Sequence, residues 1–247
     1  MRVEIWSDIA CPWCYIGKAR FEKGLAAFEH RAEVEVVHRS FELAPDAGEP
    51  TGLPVTRILT DKYGLSPDEA EAAEARVART ARGEGLAYAS GRLMNGSTFG
   101  LHRLLHHAKK RGPEAHAALL DAFYQANFAD LKPLGDPGTV VAVAASVGWE
   151  EAEVRTVLAD EDAYADDVRA DEREAAALGA TGVPFFVLDR RFGVSGGQPA
   201  EVFTQALEQA HVAGGGLVQV QASVGAQASE DAPVCEDGAC AVPAHQH

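Results

Sequence analysis

The sequence predicts an α/β protein in which a β–α–β unit and a β–β–α unit flank a block of helices. Strand-like alternation occurs at 2–6 and again at 34–41, on either side of a helical run. From about 54 to 178 the chain is rich in Ala, Glu, Arg and Leu and has little β-branched alternation. Strand signals return at 184–188 and 191–195. The folded part therefore begins and ends with α/β units and holds a large helical insertion between them.

The N-terminal unit, assigned to residues 1–50, is predicted from two strand patterns and the helix between them. Residues 2–6 (RVEIW) alternate apolar and polar side chains, as a short strand does. The run 15–30 places four large apolar side chains at helical spacing: Ile16, Phe21, Leu25 and Phe28. Residues 34–41 (VEVVHRSF) return to a β-rich pattern. We expect a right-handed crossover between two parallel strands.

Seven helices are predicted in the block at 51–178, which Gly and Pro residues divide. They cover 54–63, 67–82, 98–111, 113–128, 137–147, 150–158 and 161–178. Ser66-Pro67 and Asp136-Pro137 each combine a favoured N-cap residue with a proline in the first helical turn. These two pairs therefore fix where their helices begin.

The second α/β half, at 179–212, is predicted as a hairpin followed by a helix. The strand patterns at 184–188 (PFFVL) and 191–195 (RFGVS) are separated by a two-residue turn, Asp-Arg. The helix at 199–211 presents one apolar face. The tail at 213–247 is rich in Gly, Ala, Ser and Gln with few large apolar residues, so we expect it to be mostly flexible.

Composition limits the classes of partner. The chain has 247 residues, 47% hydrophobic and 24% charged, which is ordinary for a soluble globular protein. Its formal net charge of −15 argues against nucleic acid and anionic membranes as partners. No apolar run approaches the ~18 residues of a membrane span. The first residues, MRVEIWSDIACPWC, lack the pattern of a secretory leader, so we expect a cytoplasmic protein in which structural disulfides are unfavoured.

The segment SDIACPWCYIGK carries two of the four cysteines, Cys11 and Cys14. A closed zinc site would need a second pair of ligands at short spacing, and Cys235 and Cys240 are separated by four residues in a loose tail. A redox pair suits the context better, because the motif follows a predicted strand and opens a predicted helix. That placement is typical of a thioredoxin-like fold.

The position of the motif also assigns roles to its residues. Unpaired N–H groups at a helix start stabilise an anion, so Cys11 is predicted to be the attacking nucleophile. Pro12 suits the first helical position because its missing N–H costs nothing there. Cys14 lies one turn on and can release a mixed disulfide as the resolving thiol. Trp13 adds no positive charge, which favours reductase or isomerase character over dedicated oxidation.

A second segment, TGVP at 181–184, precedes the apolar strand FFVL. A trans proline at a strand start is the commoner arrangement. In a thioredoxin-like fold, however, this strand begins with a cis proline that faces the dithiol, so we expect Pro184 to be cis. The backbone of Val183 can pair with an extended substrate. We therefore expect Val183 and Pro184, with Pro12 and Trp13, to contact the substrate.

These segments together resemble one family. The stretches DIACPWCYIGK, NGSTFGLHRLLHHAKKRG, LGDPGTVVAVAASVG and ALGATGVPFFVLDRRFGVSGGQP, spread over 2–212, are similar to DsbA-like thioredoxin-family oxidoreductases, within them the cytosolic FrnE-type branch. The resemblance implies a thioredoxin fold interrupted by a helical domain. It also implies that Cys11 is the nucleophile, Cys14 the resolving cysteine and Pro184 the cis proline.

The resemblance leaves alternatives for the activity. The expected activity is thiol–disulfide exchange with disulfide-containing proteins or low-molecular-weight thiols, without a resident cofactor or metal and with glutathione as a possible reductant or co-substrate. Glutathione-dependent 2-hydroxychromene-2-carboxylate isomerases and kappa-type glutathione transferases share the architecture but have a serine where Cys11 stands. A redox-sensing holdase or interaction module is the third alternative.

Two further groups of residues have several interpretations. His102 and His106 are four apart on a predicted helix, a spacing that suits a metal but more often marks packed side chains. Asn95 and His102 lie in a stretch that the resemblance places near the dithiol, and packing or capping roles are the alternative for both. The tail pair Cys235 and Cys240 is compatible with a second redox pair, with a passive pair, or with a metal clip that includes the tail histidines.

Overall fold

A β–α–β unit forms the first 40 residues in the computed structural model, which describes residues 1–213 and the short segments 218–219 and 240–241. Its elements are β1 (Arg2–Ser7), α1 (Pro12–Ala27), a 3-10 turn (Arg31–Glu33) and β2 (Glu35–Ser40). β1 and β2 are parallel. The crossover helix α1 buries Ile16 and Phe21, and its C-cap residue Phe28 is also buried, whereas Leu25 is half-buried.

The insertion is helical throughout its regular elements. In chain order it contains α2 (Val55–Tyr63), α3 (Pro67–Gly83), α4 (Phe99–Lys109), α5 (Pro113–Tyr124), a π-helical turn (Gln125–Ala129), α6 (Pro137–Ala145), α7 (Glu151–Ala159) and α8 (Ala165–Ala177). These bounds agree with the predicted helices to within two residues, with two exceptions. The predicted helix at 113–128 changes to π geometry after Tyr124, and α8 begins at Ala165, four residues later than predicted.

The second α/β half completes the sheet. Its elements are β3 (Gly182–Val183), β4 (Phe185–Leu188), β5 (Phe192–Ser195), α9 (Ala200–Val212), β6 (Val218–Gln219) and β7 (Cys240–Ala241). The main sheet has the order β2-β1-β4-β5-β6, and β3 pairs with β7 apart from it. β4 is antiparallel to β1, with Trp6 opposite Phe185. The end of β1 and the start of β4 therefore lie at the same edge of the sheet. The predicted α/β class with a helical insertion is confirmed.

Local signals set several boundaries as expected. The Ser66 side chain accepts the Glu69 N–H and the Glu69 carboxylate accepts the Ser66 N–H, which forms a capping box at α3. Asp136 caps α6 by accepting the Thr139 N–H at 2.8 Å. In the hairpin, Asp189 and Arg190 both have positive φ, as a type I′ turn requires.

The sheet separates two apolar clusters. Val3 and Ile5 pack with Phe186 and Phe203 beneath α1 and α9. Trp6, on the other face of β1, packs with the insertion, in a cluster that includes Phe128. Period-2 alternation in β1 thus makes one strand serve both cores. None of the helices among the described residues combines the length and apolarity needed to cross a bilayer.

A buried carboxylate links the sheet, the hairpin and the insertion. Glu4 is 0% exposed and accepts from Arg39 at 2.5 Å and from Arg190 at 2.8 Å. Burial alone would raise the pKa of Glu4, but the hydrogen bonds from the two guanidinium groups outweigh it and lower the pKa. Arg39 also donates to Asp171 of α8 at 2.9 Å, so one ion network ties β1, β2, the turn and α8 together.

The close packing of α1 against the segment around Pro184 can be tested by adding a methyl group at Gly17. A Cβ added at Gly17 would lie 2.9 Å from Pro184 Cγ and 3.1 Å from Gly197 Cα. We expect Gly17→Ala to lower the free energy of unfolding by about 1–3 kcal/mol, the usual cost of overpacking. Gly83→Ala, in the exposed last turn of α3 with no atom within 4 Å, is the control and should be neutral or stabilise by up to about 1 kcal/mol. Urea unfolding of both variants measures the difference, and equal stabilities would contradict the packing argument.

Candidate active site

The dithiol lies at the N-terminus of α1. Cys11 is the N-cap residue, with extended φ and ψ of −87° and 114°, and Pro12 occupies the first turn. The Cys11 carbonyl accepts the N–H groups of Cys14 at 3.1 Å and Tyr15 at 3.4 Å. Cys11 therefore meets the positive end of the helix dipole, and Cys14 follows one turn later.

Both sulfur-bearing side chains are buried. Cys11 is 0% exposed and Cys14 is 1% exposed. Burial raises the pKa of Cys14 well above its ordinary value, and the neighbouring Cys11 sulfur and the Asp8 charge raise it further. The Cys14 thiol consequently keeps its proton at neutral pH unless a base removes it.

The segment at 182–184 faces Cys11 across the edge of the sheet. The Val183–Pro184 peptide bond is cis, so the expectation for Pro184 is confirmed. The Cys11 thiol donates to the Val183 carbonyl at a sulfur–oxygen distance of 3.6 Å. The structure therefore brings together Cys11, Cys14, Val183 and Pro184, which the sequence separates by about 170 residues.

The two residues between the cysteines differ in exposure. Pro12 is half-buried, whereas Trp13 is 7% exposed. The Trp13 Nε1–H has no hydrogen-bond acceptor among the described residues. Trp13 thus packs into the core beside the dithiol, and Pro12 is the more accessible of the two predicted contacts.

The insertion holds the turn before Cys11 in place. Asn127 donates from Nδ2 to the Ile9 carbonyl at 2.8 Å and accepts from Asn95 Nδ2 at 3.1 Å. Arg92 donates to the Ala10 carbonyl at 3.3 Å. Asn127 belongs to the π-helical turn, a geometry that is frequent at functional sites. Asn95, predicted near the dithiol, therefore reaches the site through Asn127.

Tyr124 is a buried polar group beside the sulfurs. Its side chain is 0% exposed and packs near Tyr15 at a ring-centroid distance of 5.4 Å. Burial raises the pKa of Tyr124 well above its ordinary value, and proximity to Cys14 adds to the effect. The hydroxyl therefore stays protonated and can donate a hydrogen bond to a neighbouring anion. Sequence reasoning missed Tyr124, whose pattern in α5 is that of any core aromatic.

The two histidines with metal-like spacing engage separate carboxylates. His102 Nε2 lies 3.5 Å from Asp8 Oδ1, next to the dithiol. His106 Nε2 lies 3.0 Å from Asp171 Oδ2 on α8. The two histidines thus face two different carboxylates, Asp8 and Asp171. Sequence reasoning missed Asp8, which is buried in the turn before Cys11. The signal for it was a charged side chain next to the apolar residues that precede Cys11.

A possible ion-binding group lies at the opposite end of α1. Among the described residues, donor atoms of His30, Glu33 and His211 come within 4.8 Å of one another. His30 and His211 stack with ring centroids 4.0 Å apart, and Glu33 and His211 are exposed. This group lies beyond the C-terminal end of the helix that Cys11 caps, so it is separate from the dithiol.

The tail pair is only partly visible. Cys235 lies outside the described residues. Cys240 begins β7, which pairs antiparallel with β3 so that Cys240 is opposite Val183 and Ala241 is opposite Gly182. The tail, expected to be mostly flexible, thus contributes backbone pairing at the residue that precedes Pro184. The domain limits 1–50, 51–178, 179–212 and 213–247 stay predictions.

Comparisons with known proteins support one family. Residues 2–208 match the model of the DSBA-like thioredoxin domain, while a search of curated proteins gives no match. A probable DsbA oxidoreductase from Streptomyces coelicolor has 58% identity and a TM-score of 0.83, with 99% of this chain and 100% of that chain covered.

Two more distant structures show the shared fold. A 2-hydroxychromene-2-carboxylate isomerase has 16% identity and a TM-score of 0.62, with 85% of this chain and 95% of that chain covered. The cytosolic disulfide reductase DsbM from Pseudomonas aeruginosa has 15% identity and a TM-score of 0.53, with 85% and 96% covered. The match over residues 2–208 spans most of the 247-residue chain, so the protein belongs to the DsbA-like thioredoxin family.

Proposed function

We propose that the protein is a thiol–disulfide oxidoreductase that exchanges disulfides through Cys11 and Cys14. The observation that carries the proposal is the Cys11 thiol at the start of α1, 3.6 Å from the Val183 carbonyl and beside Pro184. A helix N-terminus favours the thiolate, and a second thiol one turn away can complete the exchange. The name of the 58% identical Streptomyces protein, a probable DsbA oxidoreductase, agrees with it.

The reaction needs two exchange steps. The Cys11 thiolate attacks one sulfur of a client disulfide, forms a mixed disulfide and displaces the other client sulfur as a thiolate. Cys14 loses its proton and attacks the Cys11 sulfur, so that the Cys11–Cys14 bond forms and the second client sulfur leaves with its electron pair. The client gains two electrons and two protons, which the dithiol loses. The reverse sequence oxidises or isomerises a client.

The proposed clients are disulfide-containing proteins or low-molecular-weight thiols and disulfides. The short strand β3 lies beside Cys11 and pairs with β7, so an extended client peptide that adds to the β3 backbone would take the place of β7. Glutathione can serve as the reductant that returns the dithiol to its starting state. We also propose a cytosolic location, in keeping with the name of the DsbM neighbour, and recovery of the protein from an extracellular fraction of its cells would contradict this.

The charges near the dithiol favour reduction or isomerisation over strong oxidation. Trp13 is uncharged, and the buried Asp8 carboxylate disfavours a second negative charge on Cys14. A dithiol whose reduced form is not stabilised as a thiolate is a weaker oxidant.

The first prediction of the proposed exchange reaction concerns the two thiols. Cys11→Ser should lower the rate of insulin disulfide reduction by at least about a hundredfold, because the nucleophile is lost. Cys14→Ser should accumulate a mixed disulfide with the client, which non-reducing electrophoresis and mass spectrometry detect. Full activity of Cys11→Ser would remove the proposal. Glutathione-dependent turnover of a chromene carboxylate by that variant would favour the isomerase instead.

The second prediction concerns the redox potential. Equilibrium titration against glutathione, with mass labelling of free thiols, should give a potential nearer to about −270 mV than to about −120 mV. The physical reason is that neither Trp13 nor Asp8 stabilises a thiolate. Trp13→His, which adds a cation between the cysteines, should raise the potential. A potential at the oxidising end for the unmodified protein would make it a dedicated oxidase.

We further propose that the tail pair exchanges disulfides with Cys11 and Cys14, which the pairing of β7 with β3 supports. Changing both Cys235 and Cys240 to Ser should slow the recovery of reduced Cys11 and Cys14 by at least about threefold, because a tethered thiol acts at high effective concentration. Thiol trapping at timed intervals after oxidation measures the recovery. The relay is excluded if recovery is unchanged, and Ser223→Ala serves as the tail control.

A further inference from the structure

Two histidines and a glutamate lie together where α1 and α9 end. His30 follows Phe28, the C-cap residue of α1, by two residues. Glu33 closes the 3-10 turn that comes next. His211 stands in the last turn of α9. Two segments that are distant in the sequence thus supply three side chains whose atoms can ligate a metal.

Packing between the two helices holds these segments together. The Thr204 hydroxyl donates to the Gly24 carbonyl at 3.1 Å, and a Cβ added at Gly24 would lie 2.8 Å from Phe203 Cβ. One turn further along α1, the Phe28 ring contacts the His211 ring at a centroid distance of 5.8 Å. The helices therefore run in the same direction, and their carboxyl-terminal ends lie side by side.

The donor atoms are close enough together to share one ion. His30 Nδ1 lies 3.3 Å from Glu33 Oε1, and one donor atom from each of the three side chains lies within 4.8 Å of the others. Zinc binds imidazole nitrogen at about 2.0–2.1 Å and carboxylate oxygen at about 2.0–2.2 Å, so ligand atoms around a tetrahedral ion are roughly 3.3–3.5 Å apart. His30 and Glu33 already have this spacing, and rotation of the exposed His211 side chain brings in the third donor.

The three side chains are held in place before any ion binds. Phe28 is 2% exposed, and its ring meets those of His30 and His211 edge-on. The two imidazoles stack with centroids 4.0 Å apart and an interplanar angle of 15°. The Glu33 carbonyl accepts from the Met1 ammonium at 2.9 Å, which anchors the turn. Ligands that are already positioned lose less entropy when they bind an ion.

The charges around this group favour a cation over an anion. The chain has a formal net charge of −15, and the carboxyl ends of two helices carry partial negative charge. Arg191 donates to the Ala210 carbonyl at 2.8 Å, so its guanidinium is engaged with the end of α9. Arg31 is exposed in the turn, where water and salt screen its charge.

We propose that His30, Glu33 and His211 bind a divalent late transition-metal ion, of which Zn²⁺ is the representative. Two imidazoles and one carboxylate suit Zn²⁺, Cu²⁺ and Ni²⁺, whereas Mg²⁺ and Ca²⁺ require oxygen ligands. Three protein ligands leave a fourth position for water. The ion joins the turn after α1 to the last turn of α9 and so stabilises the packing of these two helices.

The metal site is separate from the dithiol. α1 has 16 residues, so its two ends are about 24 Å apart at about 1.5 Å per residue. Cys11 precedes the first of these residues, and His30 follows the last. Metal binding therefore goes beyond the proposed disulfide exchange and does not depend on it.

A simpler arrangement would explain the same contacts without an ion. His30 and Glu33 would form a surface ion pair, with His211 stacked on the imidazole. Ion pairs between partly exposed side chains contribute little to stability. Only the metal site predicts a zinc affinity that depends on all three side chains.

Isothermal titration of the full-length protein with zinc chloride at neutral pH measures the affinity. The protein is first oxidised with diamide, and mass labelling verifies that no thiol is free, because thiolates are also zinc ligands. Three variants each remove one ligand: His30→Gln, Glu33→Gln and His211→Gln. Circular dichroism establishes that each variant is folded.

Two controls remove groups outside the site. Glu29→Gln removes an exposed carboxylate next to His30 and matches Glu33→Gln in chemistry. The double variant His245→Gln/His247→Gln removes the tail histidines, which are alternative ligands. Magnesium chloride replaces zinc chloride as the control for the class of metal.

The unmodified protein should bind zinc and give no signal with magnesium. Each ligand variant should bind zinc at least about tenfold more weakly, since loss of even an outer partner of a metal ligand costs about 10–100-fold. Both controls should keep the original affinity. X-ray absorption at the zinc edge should show two imidazole nitrogens at about 2.0–2.1 Å. Zinc at about 100 times its Kd should raise the Tm by at least about 3 °C, and His211→Gln should lose this shift.

Three results would overturn the site. Unchanged affinity in all three ligand variants, or loss of binding in the tail variant, would mean that other groups hold the ion. Weaker binding in His30→Gln and Glu33→Gln but not in His211→Gln would exclude the bridge to α9. No zinc binding up to about 1 mM would leave only the surface ion pair. Reduced, zinc-free His211→Gln should reduce insulin at the original rate, so failure of the metal site is distinguishable from failure of the proposed function.

Discussion

The contact between the Cys11 thiol and the Val183 carbonyl, 3.6 Å apart, depends on the order of the central strands. Because β4 lies antiparallel beside β1, with Trp6 opposite Phe185, the end of one strand and the start of the other meet at one edge. α1 then approaches Pro184 closely, which requires a residue without a Cβ at Gly17. The rest of the site is arranged around this edge.

Burial of the dithiol turns the helical insertion into part of the site. Asn127 and Arg92 fix the turn before Cys11, and His102 faces the Asp8 carboxylate. A dry environment raises the cost of each new charge, so burial raises the pKa of the Cys14 thiol and the thiol keeps its proton at neutral pH.

Much of the fold follows from local pattern. Ser66 and Asp136 begin their helices as capping residues, and the predicted Asp-Arg turn joins the two strands of the hairpin. These features depend on interactions within a few residues, which a sequence displays directly. The two-residue strand β3 and the π turn at 125–129 were not predicted, because pairing with β7 defines the first and packing of Asn127 against the Ile9 turn accompanies the second.

The sequence by itself determined the α/β class, the helical insertion and the dithiol at the start of a helix, because periodicity, capping and motif spacing are local properties of the chain. It also indicated Pro184 through the resemblance to a known family. Only the tertiary structure decided that the side chains of Asp8 and His102 meet, and that Tyr124 is fully buried. Their contact arises when the insertion packs on the turn after β1, and no spacing along the chain encodes which distant side chains that packing brings together.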